Sequence, residues 1–169
     1  IDLLRGYNLD YEIVPGVSSF CAAAAALKAE YTLPNVSQSV IITRMEGRTP
    51  VPPRQKIADY AAHNATMVIF LSAGMLEKLS SELIKGGYTA ETPAAIVYKA
   101  SWPDQMVVRC TVGTLAENAA KYGINKTALI TVGGFLGNEY DRSELYNPTF
   151  AHGYREADPS KLEVKPEVK

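Results

Sequence analysis

From Thr66 to Val132, short β-branched runs alternate with helical segments, several closed by glycine, and this alternation restricts the chain to an α/β architecture. Thr66 to Leu71 reads as a strand, and Met75 to Lys85 as a helix stopped by Gly86-Gly87. Ala94 to Ala100 and Gln105 to Val112 read as two further strands. Only Ser101-Trp102-Pro103-Asp104 separates them, which calls for a hairpin-like, antiparallel connection. Thr114-Leu115-Ala116-Glu117 has the spacing of a capping box, so a helix is expected to start there and stop at Gly123. Thr127 to Val132 is the last strand. Upstream, Ser39 to Thr43 adds a fifth strand, and Pro53 suits the first turn of a helix running to His63 with Asn64 as its stop. The expectation for residues 38–137 is one α/β domain with a five-stranded mixed sheet and flanking helices.

The segment before it is organised around Tyr11 to Ala26. Ile13 and Val14 read as the end of a buried strand starting at Tyr11, and Pro15-Gly16 as a turn. Ser18 or Ser19 then caps an alanine-rich helix expected to reach Glu30. Such a junction is either a plain strand-turn-helix corner or the ligand-binding edge of an open sheet. Tyr31-Thr32-Leu33-Pro34-Asn35 reads as a linker. After Gly137 the chain turns polar, so 138–169 is expected to be a C-terminal tail, frayed from Asp158 onward. The chain opens without Met, in what reads as a helix end closed by Gly6, and is expected to be a piece of a longer protein.

Composition removes several function classes. A net charge of -1 on 169 residues gives no general attraction to nucleic acid or to an anionic membrane. No apolar run approaches the roughly 20 residues that span a bilayer. Residues 1–6 lack the pattern of a signal peptide, so the expected compartment is the cytoplasm. Cys21 and Cys110 stand apart in apolar settings and read as reduced core residues. His63 and His152 have no partners at ligand spacing, so no metal is expected.

Recognition has to be local. Arg44, Arg48, Arg54 and Lys56 face a single acid, Glu46, in a Pro-rich loop. Guanidinium groups pair with carboxylates and phosphates, so the loop is either a clamp for an anionic substrate or a solvated segment. Trp102, the only tryptophan, is either a wall for a flat ligand or a plug over the core. Leu71-Ser72-Ala73-Gly74 and Lys126-Thr127-Ala128 are small-residue corners at strand ends, suited equally to cofactor approach and to packing. No nucleophilic triad, P-loop or G-x-G-x-x-G is present.

Val14-Pro15-Gly16-Val17-Ser18-Ser19 resembles the junction V-P-G-[IV]-[ST]-[AS] of the tetrapyrrole (corrin/porphyrin) methyltransferases. Thr43 to Pro52, Tyr98 to Gln105 and Leu145 to Arg155 resemble segments of the branch of that family acting at C-11 of precorrin-4. The resemblance implies methyl transfer from S-adenosylmethionine, with S-adenosylhomocysteine as product, to precorrin-4 or its cobalt form on the route to cobalamin. It further implies a homodimer of two-domain α/β subunits with the active site in the interdomain cleft. Residues 1–37 would then be the last strand and helix of the first domain, and 38–137 the second domain. By the same resemblance Ser18, Ser19, Leu71, Ala100 and Ala128 contact the cofactor. Leu71 occupies a position often Met in the family. Arg44 and Arg48 are expected to hold substrate carboxylates, with Tyr98 and Trp102 near the macrocycle or cofactor; no catalytic acid or base is assigned. The family's Gly-rich and G-D-P-type loops are not in this sequence. The competing readings are a non-catalytic half that folds and dimerises, and a sister methyltransferase acting on another ring carbon.

Overall fold

Met67, Val68 and Ile69 are fully buried although neighbouring side chains of a strand point to opposite faces, so their strand must be covered on both sides. In the computed structural model, which describes residues 1–158 and 160, that strand is β2 (Thr66–Phe70) of a five-stranded mixed sheet. The others are β1 (Val40–Arg44), β3 (Pro93–Tyr98), β4 (Met106–Thr111) and β5 (Ala128–Val132), in the spatial order β1-β2-β5-β3-β4. β1 and β2 run parallel, Val40 opposite Thr66 and Arg44 opposite Phe70. Every other pairing is antiparallel, including the expected β3–β4 hairpin.

The described residues form the α-helices α1 (Asp2–Gly6), α2 (Ser19–Leu27), α3 (Ile57–Ala61), α4 (Leu76–Gly86) and α5 (Leu115–Lys121). On α4, Leu76, Leu79 and Leu83 recur at helical spacing and bury one stripe. With α3 and α5 they cover one sheet face, where Met67, Ile69, Ile96 and Ile130 form the larger core. The opposite face receives α2: Ala23 and Leu27 pack on Val68, Ala95, Val97 and Leu129. Arg109 fastens the end of α2 to β4 by donating to the Leu27 carbonyl at 2.7 Å. Among the described residues, no helix is long and apolar enough to cross a membrane.

Several local expectations are corrected. Tyr11 to Val14 is not a strand, and Ile13 and Val14 are exposed. No described strand pairs with that segment, and an extended chain without ladder hydrogen bonds is not a sheet element. Pro53 does not open α3: Gln55 N–H closes a separate turn onto the Pro52 carbonyl at 2.9 Å, and extended Lys56 is the N-cap. Thr114 does not cap α5 with its side chain, because its Oγ1 accepts from Thr111 N–H at 3.0 Å, one turn earlier. α2 ends at Leu27, since Lys28 adopts the left-handed conformation. Cys21 is exposed, whereas Cys110 is half-buried with its thiol pushed up to about 11 by burial. The frayed Asp158 to Lys169 tail falls, except for Asp158 and Ser160, outside the described residues.

The Tyr88 hydroxyl, between α4 and β3, donates to the Ala65 carbonyl, and burial raises its pKa to about 12. A tyrosine in the unfolded chain ionises near pH ~10. Between those values the folded chain holds the proton that the unfolded chain has lost, so stability falls as pH rises. A melting series from about pH 8 to about pH 11.5 should therefore show a decline above about pH 10 that is shallower in Tyr88→Phe. Parallel declines in the two proteins would contradict this role.

Candidate functional site

The sheet register sets the C-terminal ends of β2 and β3 beside the N-terminal end of β5, since Tyr98 pairs with Ala128 and Ile69 with Ile130. The residues at these three ends, Leu71, Lys99 and Thr127, all have positive φ, of 53°, 46° and 54°. None is a glycine, and a β-branched threonine is especially unfavoured there. Surrounding bonds hold the strain: Lys99 N–H donates to the Thr127 carbonyl at 2.9 Å. Backbone held this way clusters at ligand sites. Beneath, Ser72 is fully buried, donating to the Phe70 carbonyl at 2.8 Å and accepting from Met45 N–H at 3.1 Å, which ties the loops after β1 and β2 together.

These strand ends surround a cleft of about 370 Å³. Its floor is Phe70, Val97 and Leu129, the first turn of α2 reaches it through Ser19, and Leu71 and Trp102 stand at it as exposed apolar walls. Among the described residues, Lys99 and Lys126 are the only charged ones lining it, and no carboxylate or imidazole does. Lys99 is paired with Asp104 just outside. The Lys99 ammonium is held above its ordinary pKa by hydrogen bonds to Asp104 and Tyr98, and the Asp104 carboxyl below its own by the bond to Lys99. Such a cleft suits binding a flat, largely apolar group and orienting it, rather than moving protons.

Of the residues singled out from the sequence, Ser19, Leu71, Ala100, Trp102 and Ala128 meet at this cleft. Ser18 is the N-cap of α2, with no side-chain capping bond. Tyr98 packs with the core under α3–α5. Arg44 lies at the same sheet end, opposite Phe70, but its guanidinium donates to the carbonyls of Met45 (3.2 Å), Thr49 (3.2 Å) and Pro50 (2.9 Å). It closes its own loop and leaves Arg48 exposed upon it. Sequence reasoning missed Lys99, Asp104 and Asn125. Left-handed conformation is legible in sequence where glycine or asparagine stands, and Lys99 offers no such mark.

Comparison with known proteins gives a consistent result. The family model described as tetrapyrrole (corrin/porphyrin) methylases matches residues 2–116. The cobalt-precorrin-4 C(11)-methyltransferase of Methanocaldococcus jannaschii is 54% identical over 158 residues, covering 93% of this chain and 61% of the relative. The crystal structure of a cobalt precorrin-4 methyltransferase, a cobalamin biosynthetic enzyme, superposes with a TM-score of 0.78 at 47% identity, covering 80% of this chain and 56% of that one. A uroporphyrin-III C-methyltransferase from Thermus thermophilus, solved with S-adenosyl homocysteine, shares the fold at a TM-score of 0.63 and 22% identity, covering 79% of this chain and 57% of that one. The chain spans about three-fifths of the length of the curated relatives it matches.

Proposed function

The chain belongs to the tetrapyrrole (corrin/porphyrin) methylases, and from that premise we propose that it supplies one side of the active-site cleft of an S-adenosylmethionine-dependent C-methyltransferase. The substrate of this reading is precorrin-4 or its cobalt form, methylated at C-11, in cobalamin biosynthesis. The observation that carries it is the cleft itself, which gathers Ser19, Leu71, Ala100, Trp102 and Ala128 at the end of the sheet.

The cleft fits the cofactor on its own terms. Its size suits a nucleoside-sized group, and small side chains at 100 and 128 let that group approach the strands. Ser19, Leu71, Ala100 and Ala128 would hold it, with the Ser18 hydroxyl beside the first turn of α2. S-adenosylmethionine, when bound, supplies a methyl carbon made electrophilic by the sulfonium. The leaving thioether needs no proton, so departure of the cofactor product asks no acid of the cleft. The residues contribute by fixing the approach of the two reactants and by excluding water.

Arg48, exposed on the loop that Arg44 closes, is assigned to a substrate carboxylate. In the intact enzyme containing this chain, Arg48→Ala should raise KM for the tetrapyrrole by roughly tenfold, the scale of one charge-assisted contact, with cofactor affinity unchanged. An unaltered KM removes the role. This reading also takes the enzyme to be a cytoplasmic homodimer, and sedimentation velocity of the intact enzyme tests the dimer. A second reading is favoured by the relatives' greater length: the 169 residues on their own fold and present half a cleft without turning over. Mass spectrometry of the methylated product, with its carbon assigned by NMR, separates the C-11 enzyme from a sister acting elsewhere on the ring.

A further inference from the structure

The turn after β3 is more heavily built than a hairpin connection requires. Trp102 N–H donates to the Lys99 carbonyl at 2.9 Å, Gln105 N–H to the Trp102 carbonyl at 3.1 Å, and Ser101 N–H to the Gln105 side-chain carbonyl at 2.7 Å. Lys99 and Ser101 both take positive φ, 46° and 72°. The Lys99 side chain, only 23% exposed, then doubles back over the turn. Its ammonium pairs with Asp104 and stands 5.4 Å from the Trp102 ring centroid and 5.1 Å from that of Tyr98. A tryptophan 56% exposed at the edge of a cleft ordinarily samples several rotamers. Here one ring face is already taken by a cation, a favourable contact at this distance.

We propose that Lys99 and Asp104 are positioning residues that brace Trp102, so that the ring offers a single, fixed face to a flat ligand in the cleft. This rests on the reading of the cleft as the S-adenosylmethionine site. Asp104 gives the brace its direction: without that carboxylate, Lys99 is a free cation beside the cleft and no longer drawn across the turn. A bare lysine there would be expected to attract the carboxylate of an amino-acid-bearing ligand. The two roles therefore predict opposite consequences of neutralising Asp104. As a brace, its loss weakens binding; as a damper on an anion-binding lysine, its loss strengthens binding.

Trp102 is the only tryptophan, so its fluorescence reports the brace without labelling. In the ligand-free 169-residue chain, Asp104→Asn and Lys99→Met should raise acrylamide quenching and lower steady-state anisotropy, and Lys99→Arg should restore both. Equilibrium dialysis of the intact enzyme containing this chain with S-adenosylhomocysteine should then show affinity reduced roughly three- to tenfold in Asp104→Asn, the scale of one cation–π contact with its ion pair. Asp104→Glu should recover most of it. Unchanged quenching in the variants, or binding by Asp104→Asn that equals or exceeds that of the unsubstituted enzyme, overturns the brace while leaving the cofactor site intact. An unsubstituted intact enzyme that takes up no S-adenosylhomocysteine overturns the site reading, and the ligand role of the brace with it.

Discussion

Ala100→Leu should lower affinity for S-adenosylhomocysteine by roughly 10- to 100-fold without unfolding the chain. Ala100 lines the cleft and packs against the α2-side core. A leucine there has two directions to grow, into a core already filled or into the cleft, and the cleft is the open one. Forcing a ligand to share that space costs about 1–3 kcal/mol, the usual scale of overpacking, and each 1.4 kcal/mol is about tenfold in affinity. Titration calorimetry supplies the affinity and a circular-dichroism melt supplies the control. An unchanged affinity in a folded variant would place the ligand away from Ala100.

The second large effect concerns stability. Gly86 ends α4 where it crosses α3, and a Cβ placed on it would stand 2.4 Å from the Ala58 carbonyl oxygen and 2.4 Å from the Ala61 Cβ. The obstacle is largely backbone, so no rotamer change relieves it and α3 must shift. Intrinsic helix propensity argues the other way, since alanine exceeds glycine by up to ~1 kcal/mol in a helix. At 2.4 Å the collision outweighs that gain. Gly86→Ala should lower Tm, and Gly86→Val should lower it further, by roughly 4–10 °C for an overpacking cost of about 2–3 kcal/mol in a domain of this size. A Gly86→Ala protein melting above the parent would show that the α3–α4 approach has room to relax.

The five strands were legible because each is a β-branched or apolar run bounded by turn residues, and in β2 the run is apolar at both parities, as a strand covered on two faces requires. Gly87 and Gly123, both with positive φ, end helices where their sequence positions say they should. Tyr11 to Val14 misled because β-branched residues report a liking for extended backbone and say nothing about the neighbour a strand needs. Much of the cleft was legible as small corners after β2 and before β5 and as a lone tryptophan. The device that shapes it was not. Three left-handed residues at three strand ends, with Lys99 folded back onto Trp102, depend on contacts between segments 28 residues apart, such as Lys99 to Thr127. By composition the basic loop suits either a clamp or a solvated segment, and Arg44 directs its donors to backbone carbonyls within that loop, a choice that composition does not encode.

The central claim is that the ends of β2, β3 and β5 supply one side of a cofactor-binding cleft. Isothermal titration of the intact enzyme containing this chain with S-adenosylhomocysteine tests it most directly. Saturable binding near one site per chain, weakened roughly 10- to 100-fold in Ala100→Leu, is the predicted result. An affinity in folded Ala100→Leu enzyme equal to that of the unsubstituted enzyme, or a flat titration of the latter at millimolar ligand, would contradict it.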